Sequence, residues 1–372
     1  MAGTNEIPLL ANLAKARMCD TSSKAVGVAG SFGGAAAELI RQVLARSFKV
    51  AAHVMRCGDI EECSGKILEA PSDAEVFIWE MESRSTAEMA QFVSNFPLTH
   101  AVITGATQRD EVRYAEAFAS AALTSLYYNR DDEALYRSVE GIKDLLCGVK
   151  IRGAGFTGDE INIKESRHNV ARTGEPELNA TILADGKEYP CYARIFGRQN
   201  ARNMAFALSL ALELGVPEDE IHSGMADARL PAGAGRILRT ARGGFMIDET
   251  LDSNLDSMSR SIKDVIELGA PEDTAKLAIL GGMPGLGADS RQWHEVIMSR
   301  ACLLDGVYLI GGEWDAVVTE QTSLRGRWAD AGAFLDDFDT ASLCGAVTLV
   351  KDSGAHGLSK IFQIAPLIEA VS

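Results

Sequence analysis

The stretch that most constrains the fold is residues 24–39, KAVGVAGSFGGAAAEL. The apolar run at residues 25–29 reads as a buried strand, and residues 35–48 have helical composition. Between them, Gly30-Ser31-Phe32-Gly33-Gly34 is a loop whose glycines are free to take positive φ. Strand, glycine loop and helix in that order is the layout of a phosphate-binding loop, where backbone N–H groups and a helix N-terminus face an anion. Such a loop also needs a lysine after its last glycine, to neutralise the β- and γ-phosphates, and then Ser or Thr to hold Mg²⁺. Here those positions read Gly34, Ala35 and Ala36. The scaffold is that of a phosphate cradle, and the side-chain chemistry is absent.

Further along, residues 49–55, 74–79, 99–104 and 123–128 read as strands; residues 7–17, 85–93 and 111–122 read as helices. Strands alternating with helices imply a parallel sheet covered on both faces, with ligands beyond the carboxyl ends of its strands. Gly30 to Gly34, Glu80 following the third strand, residues 104–110 and the polar turn 129–132 all fall on that edge. Residues 149–195 change to alternating β-type segments around an Asp185-Gly186 turn, which implies a small antiparallel patch. A strong helix follows at 197–215, stopped by Gly215 before Pro217, then a second at 217–228 and a Gly/Pro-rich joint at 231–235. The last third repeats the α/β theme, with strands at 245–248, 275–280, 307–310 and 346–350. Its helices are expected at 257–268, 291–303 and 331–338, with a closing helix at 358–371. The expected fold class is α/β with two parallel-sheet domains. Residues 1–235 would form a P-loop-type central domain carrying the antiparallel patch, and residues 236–372 a Rossmann-like C-terminal domain.

At 372 residues, two domains are the natural number. The net charge of −16 argues against a nucleic-acid or anionic-membrane surface, since phosphate affinity is driven by Lys and Arg. No apolar run approaches the roughly 18–20 residues that span a bilayer. The first twenty residues show neither a basic n-region nor an apolar h-region, so a cytoplasmic protein without a secretory signal is expected. The seven scattered cysteines, with no C-x-x-C, read as buried free thiols. His53, His100, His168, His222, His294 and His356 show no metal-ligand spacing and read as structural or surface groups.

Several longer blocks carry a family resemblance. They are Gly197-Arg198-Gln199-Asn200 with Asn203, Leu212-Glu213-Leu214-Gly215-Val216-Pro217, and Leu230-Pro231 with Gly235-Arg236. Residues 248–258 (DETLDSNLDSM), 279–287 (ILGGMPGLG), 349–353 (LVKDS) and 129–133 (NRDDE) agree with them. Together they resemble the Mur ligases, the ATP-dependent amide-forming enzymes of peptidoglycan precursor synthesis, and most of all the member that adds D-alanyl-D-alanine to the muramyl tripeptide. The likeness covers the family's central ATP-binding domain and its C-terminal Rossmann-like domain; since the glycine loop starts near residue 27, no counterpart of the N-terminal domain that holds the UDP-sugar is expected in this sequence.

The resemblance implies that ATP phosphorylates a carboxylate and an amine attacks the acyl phosphate. Carried over position by position, the family's Lys-Thr-Thr falls on Gly34, Ala35 and Ala36, and its magnesium-binding glutamate on Glu80, implying a catalytic and metal-binding role there. The histidine-bearing loop falls on residues 104–108, which contain no His, and the carbamylated lysine has no counterpart. The His-Asn pair near the adenine becomes Gln199-Asn200, and the proline of the asparagine–proline stretch becomes Leu255. Gly30, Ser31, Gly33, Gly34, Asn200, Asn203, Arg236, Asp248 and Asn254 carry implied nucleotide-binding roles; Lys351 an implied catalytic role; Asp352 and Ser353 implied substrate contacts. The favoured expectation is a divergent homologue that has lost the standard ATP chemistry, a pseudoenzyme with a degenerate P-loop acting as a binding partner or regulator. Its partner would be an intact Mur-type ligase or a second copy, and its ligand a small carboxylate or amine in the interdomain cleft, with ATP and Mg²⁺ as cofactors only if the nucleotide site still functions. The alternatives are an active amide-forming ligase on a non-muramyl carboxylate with a rearranged nucleotide site, and a small-molecule binding protein that uses the cleft without nucleotide.

Overall fold

A computed structural model describes residues 6–19, 23–31, 33–106, 113–119, 121–158, 160–171, 174–241, 243–271, 273–317, 322–364 and 367–368. The chain divides into two units. One comprises residues 1–166, 180–192 and 199–228; the other, residues 167–179, 193–198 and 229–372.

The first sheet contains β1 (Lys24–Ala29), β2 (Val50–Arg56), β3 (Val76–Glu82), β4 (His100–Ile103), β5 (Ser125–Asn129), β6 (Lys150–Gly155), β7 (Ile161–Val170), β8 (Pro176–Ala184) and β9 (Lys187–Ala193). Its strand order is β2-β3-β1-β4-β5-β6-β7-β8-β9, and β1 lies parallel between β3 and β4. Seven α-helices connect or flank these strands before the chain reaches α8 (Glu218–Ala226): α1 (Glu6–Cys19), α2 (Gly33–Leu44), α3 (Ile60–Glu69), α4 (Thr86–Asn95), α5 (Tyr114–Phe118), α6 (Glu133–Ile142) and α7 (Gln199–Glu213). The continuous apolar run of β3 is explained by burial on both faces, and Trp79 is fully enclosed by Phe92 and Phe96 at ring-centroid distances of 5.6 and 6.4 Å. The alternating segments β7 to β9 extend this same sheet rather than forming a separate layer. Asp185 (φ 50°) and Gly186 (φ 78°) make the two-residue turn between β8 and β9, the left-handed pair that a tight hairpin needs.

The second sheet contains β10 (Arg236–Thr240), β11 (Phe245–Glu249), β12 (Lys276–Gly281), β13 (Gly306–Ile310), β14 (Leu324–Trp328), β15 (Val347–Lys351) and β16 (Leu367–Ile368), in the order β14-β13-β12-β15-β11-β10-β16. Side chains alternate between two cores as a pleated strand requires. Ile247, Ala278, Leu280, Val347 and Leu349 enter one; Met246, Ile279 and Val350 enter the other. The helices of this region are α9 (Leu255–Ile266), α10 (Ser290–Ala301), α11 (Ala331–Asp337) and α12 (Ile361–Ile364).

Several expectations are corrected. The glycine loop is shorter than read, because Gly33 and Gly34 already belong to the first turn of α2. Glu80 lies within β3 rather than after it, and Asn129 is the last residue of β5. The expected helix over 111–122 is described as the five-residue α5; residues 111, 112 and 120 lie outside the described residues. The second sheet is mixed: β10 pairs antiparallel with β11 and with β16, at an edge rich in Arg that carries no simple alternation. The closing helix does not run from 358 to 371: a 3₁₀ turn and the four-residue α12 are followed by β16, and Pro366 lacks the N–H that a continuing helix needs. The six cysteines whose side chains are described form no disulfide, but only Cys57, Cys63 and Cys191 are buried; Cys302 is half-buried, and Cys147 and Cys344 are exposed. Among the described residues no helix is long and apolar enough to cross a membrane.

One half-buried polar anchor fixes α7 against β5. The Glu213 carboxylate, at the end of α7, accepts hydrogen bonds from Ser125 Oγ and from Tyr127 Oη (2.8 Å) and lies 3.4 Å from both His100 Nε2 and Lys150 Nζ. Burial works against its charge, but His100, the two hydroxyls and Lys150 outweigh burial and pull its pKa down to about 2. A depressed carboxylate stabilises the fold above its ordinary pKa of 4.5, and that contribution is lost as pH falls from there toward about 2. Glu213→Gln is expected to cost about 2 kcal/mol at neutral pH and to flatten the acid limb of a stability–pH profile measured by urea denaturation.

Candidate functional site

The carboxyl edge of the first sheet collects the candidate residues around Gly30. That residue holds φ 100°, and a Cβ on it would run into the backbone of Gly105, 2.8 Å from its nitrogen. The glycine there is imposed by a close approach of two loops. Gly33 is under no such demand, since the nearest atom to a Cβ there is 4.0 Å away. The Gly33 N–H donates to Gly30 O (3.1 Å), Ser31 Oγ donates to Ala106 O (2.9 Å), and Thr104 Oγ1 donates to Ser31 O (2.5 Å). The Gly33 N–H, the Gly30 and Ser31 carbonyls and the Ser31 hydroxyl are therefore engaged with the turn itself and with the loop after β4. Phe32 and residues 107–110 lie outside the described residues.

Glu80 is carried by β3, level with Val28 of β1. Its carboxylate stands over the first turn of α2: a Cβ on Gly34 would lie 2.8 Å from Oε1 and 3.1 Å from Oε2. Burial, and then the negative charge of Glu82, raise its pKa above the ordinary carboxylate value. Among the described residues no basic side chain forms an ion pair with it.

Beyond β5 the turn is fully committed. Asn129 Nδ2 donates to Thr104 O (3.1 Å), and Asp132 caps α6 by accepting from Leu135 N while also accepting from Ala106 N (2.7 Å). Asp131 accepts from Phe156 N and from Arg202 Nη2 (2.7 Å). Burial alone would raise the Asp131 pKa, and these bonds hold it below its usual range. Asn200 and Asn203 are buried on α7, where Asn203 Nδ2 donates to Asn200 Oδ1 at 2.8 Å.

The carboxyl edge of the second sheet holds the other candidates. Asp248, 1% exposed, pairs with Arg236 Nη2 (2.9 Å) and accepts from Thr250 Oγ1 (2.8 Å). Asn254 is the N-cap of α9, with a reciprocal capping box to Ser257, and its Nδ2 donates to Asp252. Lys351 is buried with its Nζ 3.5 Å from Glu249 Oε2, and Ser261 Oγ donates to the same carboxylate. Asp352 is fully buried and accepts from Ser353 N (2.8 Å), Leu358 N (3.2 Å) and His356 Nδ1 (2.9 Å). His356 read as a structural or surface group; the structure seats it between Asp352 and Glu313. The i, i+4 spacing of Asp352 and His356 was the only sequence signal, since Glu313 comes from another strand's end. Asp131 with Arg202 is a second pairing that sequence reasoning did not bring together. Among the described residues no group of three or more His, Cys, Asp or Glu could hold a metal ion.

No family model matches the chain. It is 27% identical over 172 residues to the UDP-N-acetylmuramoyl-tripeptide–D-alanyl-D-alanine ligase of Treponema pallidum (strain Nichols), a match covering 44% of this chain and 36% of that protein. The ligase of the same name from Escherichia coli (strain K12) is 25% identical over 125 residues, covering 33% of this chain and 27% of that protein. The chain thus spans about a third of the length of the curated relatives it matches. A crystal structure of MurF ligase from Thermotoga maritima in complex with ADP superposes with a TM-score of 0.77 at 18% identity, covering 98% of this chain and 84% of that one.

The glycine turn offers a sharp contrast. Gly30→Ala adds a left-handed strain and a backbone clash and is expected to cost about 2–3 kcal/mol. Gly33→Ala, free of contacts in the first turn of a helix, is expected to be neutral or to stabilise by roughly 0.5 kcal/mol. Chemical denaturation of the two variants checks this, and equal losses would contradict the loop geometry.

Proposed function

We propose that this chain, a relative of the Mur ligases by fold and by sequence, has lost their ATP-driven phosphoryl chemistry and acts as a binding partner or regulator. The observation that carries this reading is the Glu80 carboxylate over the first turn of α2, at a loop whose sequence supplies no lysine and no hydroxyl at residues 34–36. A phosphate at a helix N-terminus gains from backbone N–H groups, yet the Gly33 N–H here is turned onto Gly30 O.

Magnitudes favour loss over mere weakening. A charge-assisted hydrogen bond from a loop lysine is worth roughly 1.5–3 kcal/mol in binding, and the missing charge weighs more in the transition state. A carboxylate about 4 Å from a phosphate charge opposes it by about 4 kcal/mol at an effective dielectric constant near 20. A bridging cation would relieve that repulsion, but residues 34–36 give it no second protein ligand. The residues present do not fit a magnesium–triphosphate, and no catalytic step is routed through one. On this reading the ligand is a small carboxylate or amine and the partner a protein such as an intact Mur-type ligase.

Wild-type protein is expected to show no thermal shift with ATP and Mg²⁺. Gly34→Lys with Ala35→Thr restores the cation and the hydroxyl; the new Cβ meets only the flexible end of Glu80, so a nucleotide-dependent shift is expected to appear. A clear shift in the wild type, with ADP released on adding candidate acids and amines, would overturn the reading in favour of an active ligase on a non-muramyl carboxylate. No shift in the double variant would contradict the assignment of this turn as a former phosphate site.

A further inference from the structure

His356 sits at the carboxyl edge of the second sheet with a carboxylate on each side of its ring. Nδ1 is 2.9 Å from Asp352 Oδ1, and Nε2 is 3.2 and 3.3 Å from the two oxygens of Glu313. Asp352 belongs to the loop that leaves β15, whereas Glu313 belongs to the turn that leaves β13. The cluster is built into the backbone by glycine. A Cβ on Gly281 would lie 2.5 Å from Asp352 Oδ1 and 3.0 Å from His356 Nδ1; one on Gly311 would lie 2.6 Å from His356 Nε2; one on Gly282 would lie 2.6 Å from Glu313 Oε2.

We propose that Asp352, His356 and Glu313 form a proton-operated latch that ties the loop after β15 to the turn after β13 while His356 is charged and releases it when His356 is neutral. An imidazolium has two N–H donors and can bridge both carboxylates; a neutral ring has one, so the other nitrogen presents a lone pair to a carboxylate. Neutralisation therefore leaves two negative groups facing each other across an acceptor. The groups that face His356 are Asp352, Glu313, the backbones of Gly281 and Gly311, and His294 from α10. His294 is fully buried, and burial lowers its pKa; Nε2 accepts from Met283 N and Nδ1 donates to Ser290 O, a tautomer assigned from these bonds. Lys351 is turned onto Glu249 and does not compensate the two carboxylates. The bond to Asp352, and then that to Glu313, outweigh burial and raise the His356 pKa above 6.5, while both carboxylates are lowered. The latch is thus fully closed below the ordinary histidine value and opens as pH rises through the raised one. Ser353, whose N–H is bonded to Asp352, is carried by the latched loop, so its position follows the proton on His356.

The test pairs an NMR titration of histidine ring signals with hydrogen exchange corrected for intrinsic rates. The signal lost in His356→Gln is expected to titrate above 6.5, and exchange in residues 312–317 and 352–360 to rise through the same pH interval. Each unit by which that value exceeds the ordinary one corresponds to about a tenfold change in the open-to-closed ratio across the titration. Gly281→Ala, which displaces the cluster without removing an ionisable group, should lower the titration midpoint and shrink the exchange step. A midpoint at or below 6.5, or an exchange step unchanged in either variant, would overturn the proposal.

Discussion

The carboxylate of Glu80, standing over the first turn of α2, is the constraint on which the chemistry of the first sheet depends. Parallel pairing sets Glu80 of β3 level with Val28 of β1, two residues before the turn at Gly30. From that height the glutamate reaches the helix start, where its oxygens occupy the space that a Cβ on residue 34 would enter. The glycine at residue 34, where a lysine is absent, leaves room for the Glu80 carboxyl group. The fold therefore places a carboxylate, rather than a lysine, at the helix start beside the glycine turn.

The second sheet treats its carboxylates differently. Asp248 is paired with Arg236, Glu249 with Lys351, and Asp352 with His356. Buried charges that find partners stay charged and hold their loops in one geometry, whereas a buried charge without one shifts toward neutrality. Glu80, half-buried and without a basic partner among the described residues, has a raised pKa; Asp352, buried beside His356, has a lowered one. Among the described residues, this division separates a carboxylate without an ion-pair partner on the first sheet from paired carboxylates on the second.

Much of this was legible in the sequence because burial on both faces writes long apolar runs, as in β3, β12 and β15. The glycine turn and the α7 stop at Gly215 (φ 82°) were legible because only glycine suits those backbones. The reading failed where pattern is weak. Helix α3 buries only Cys63, Ser64 and Ile67 and contains Gly65, so neither propensity nor periodicity announced it. Strand β10 (RILRT), flanked only by the two-residue β16 on its outer side, and the edge strand β14 (LRGRW) carry charges that mask alternation. The latch was invisible for a different reason. Asp352 and His356 are close in sequence, but Glu313 reaches them only because β13 lies two strands from β15 across β12. Topology, rather than local composition, completes that cluster.

Equilibrium binding of ATP in the presence of Mg²⁺, followed by isothermal titration calorimetry on the wild-type chain, tests the central claim most directly. The account predicts no saturable heat even at millimolar nucleotide, because the helix start already faces a carboxylate and lacks a cation. Saturable binding at micromolar nucleotide, abolished by Glu80→Gln, would contradict it, since it would mean that Glu80 holds a magnesium ion and that the site still grips a triphosphate.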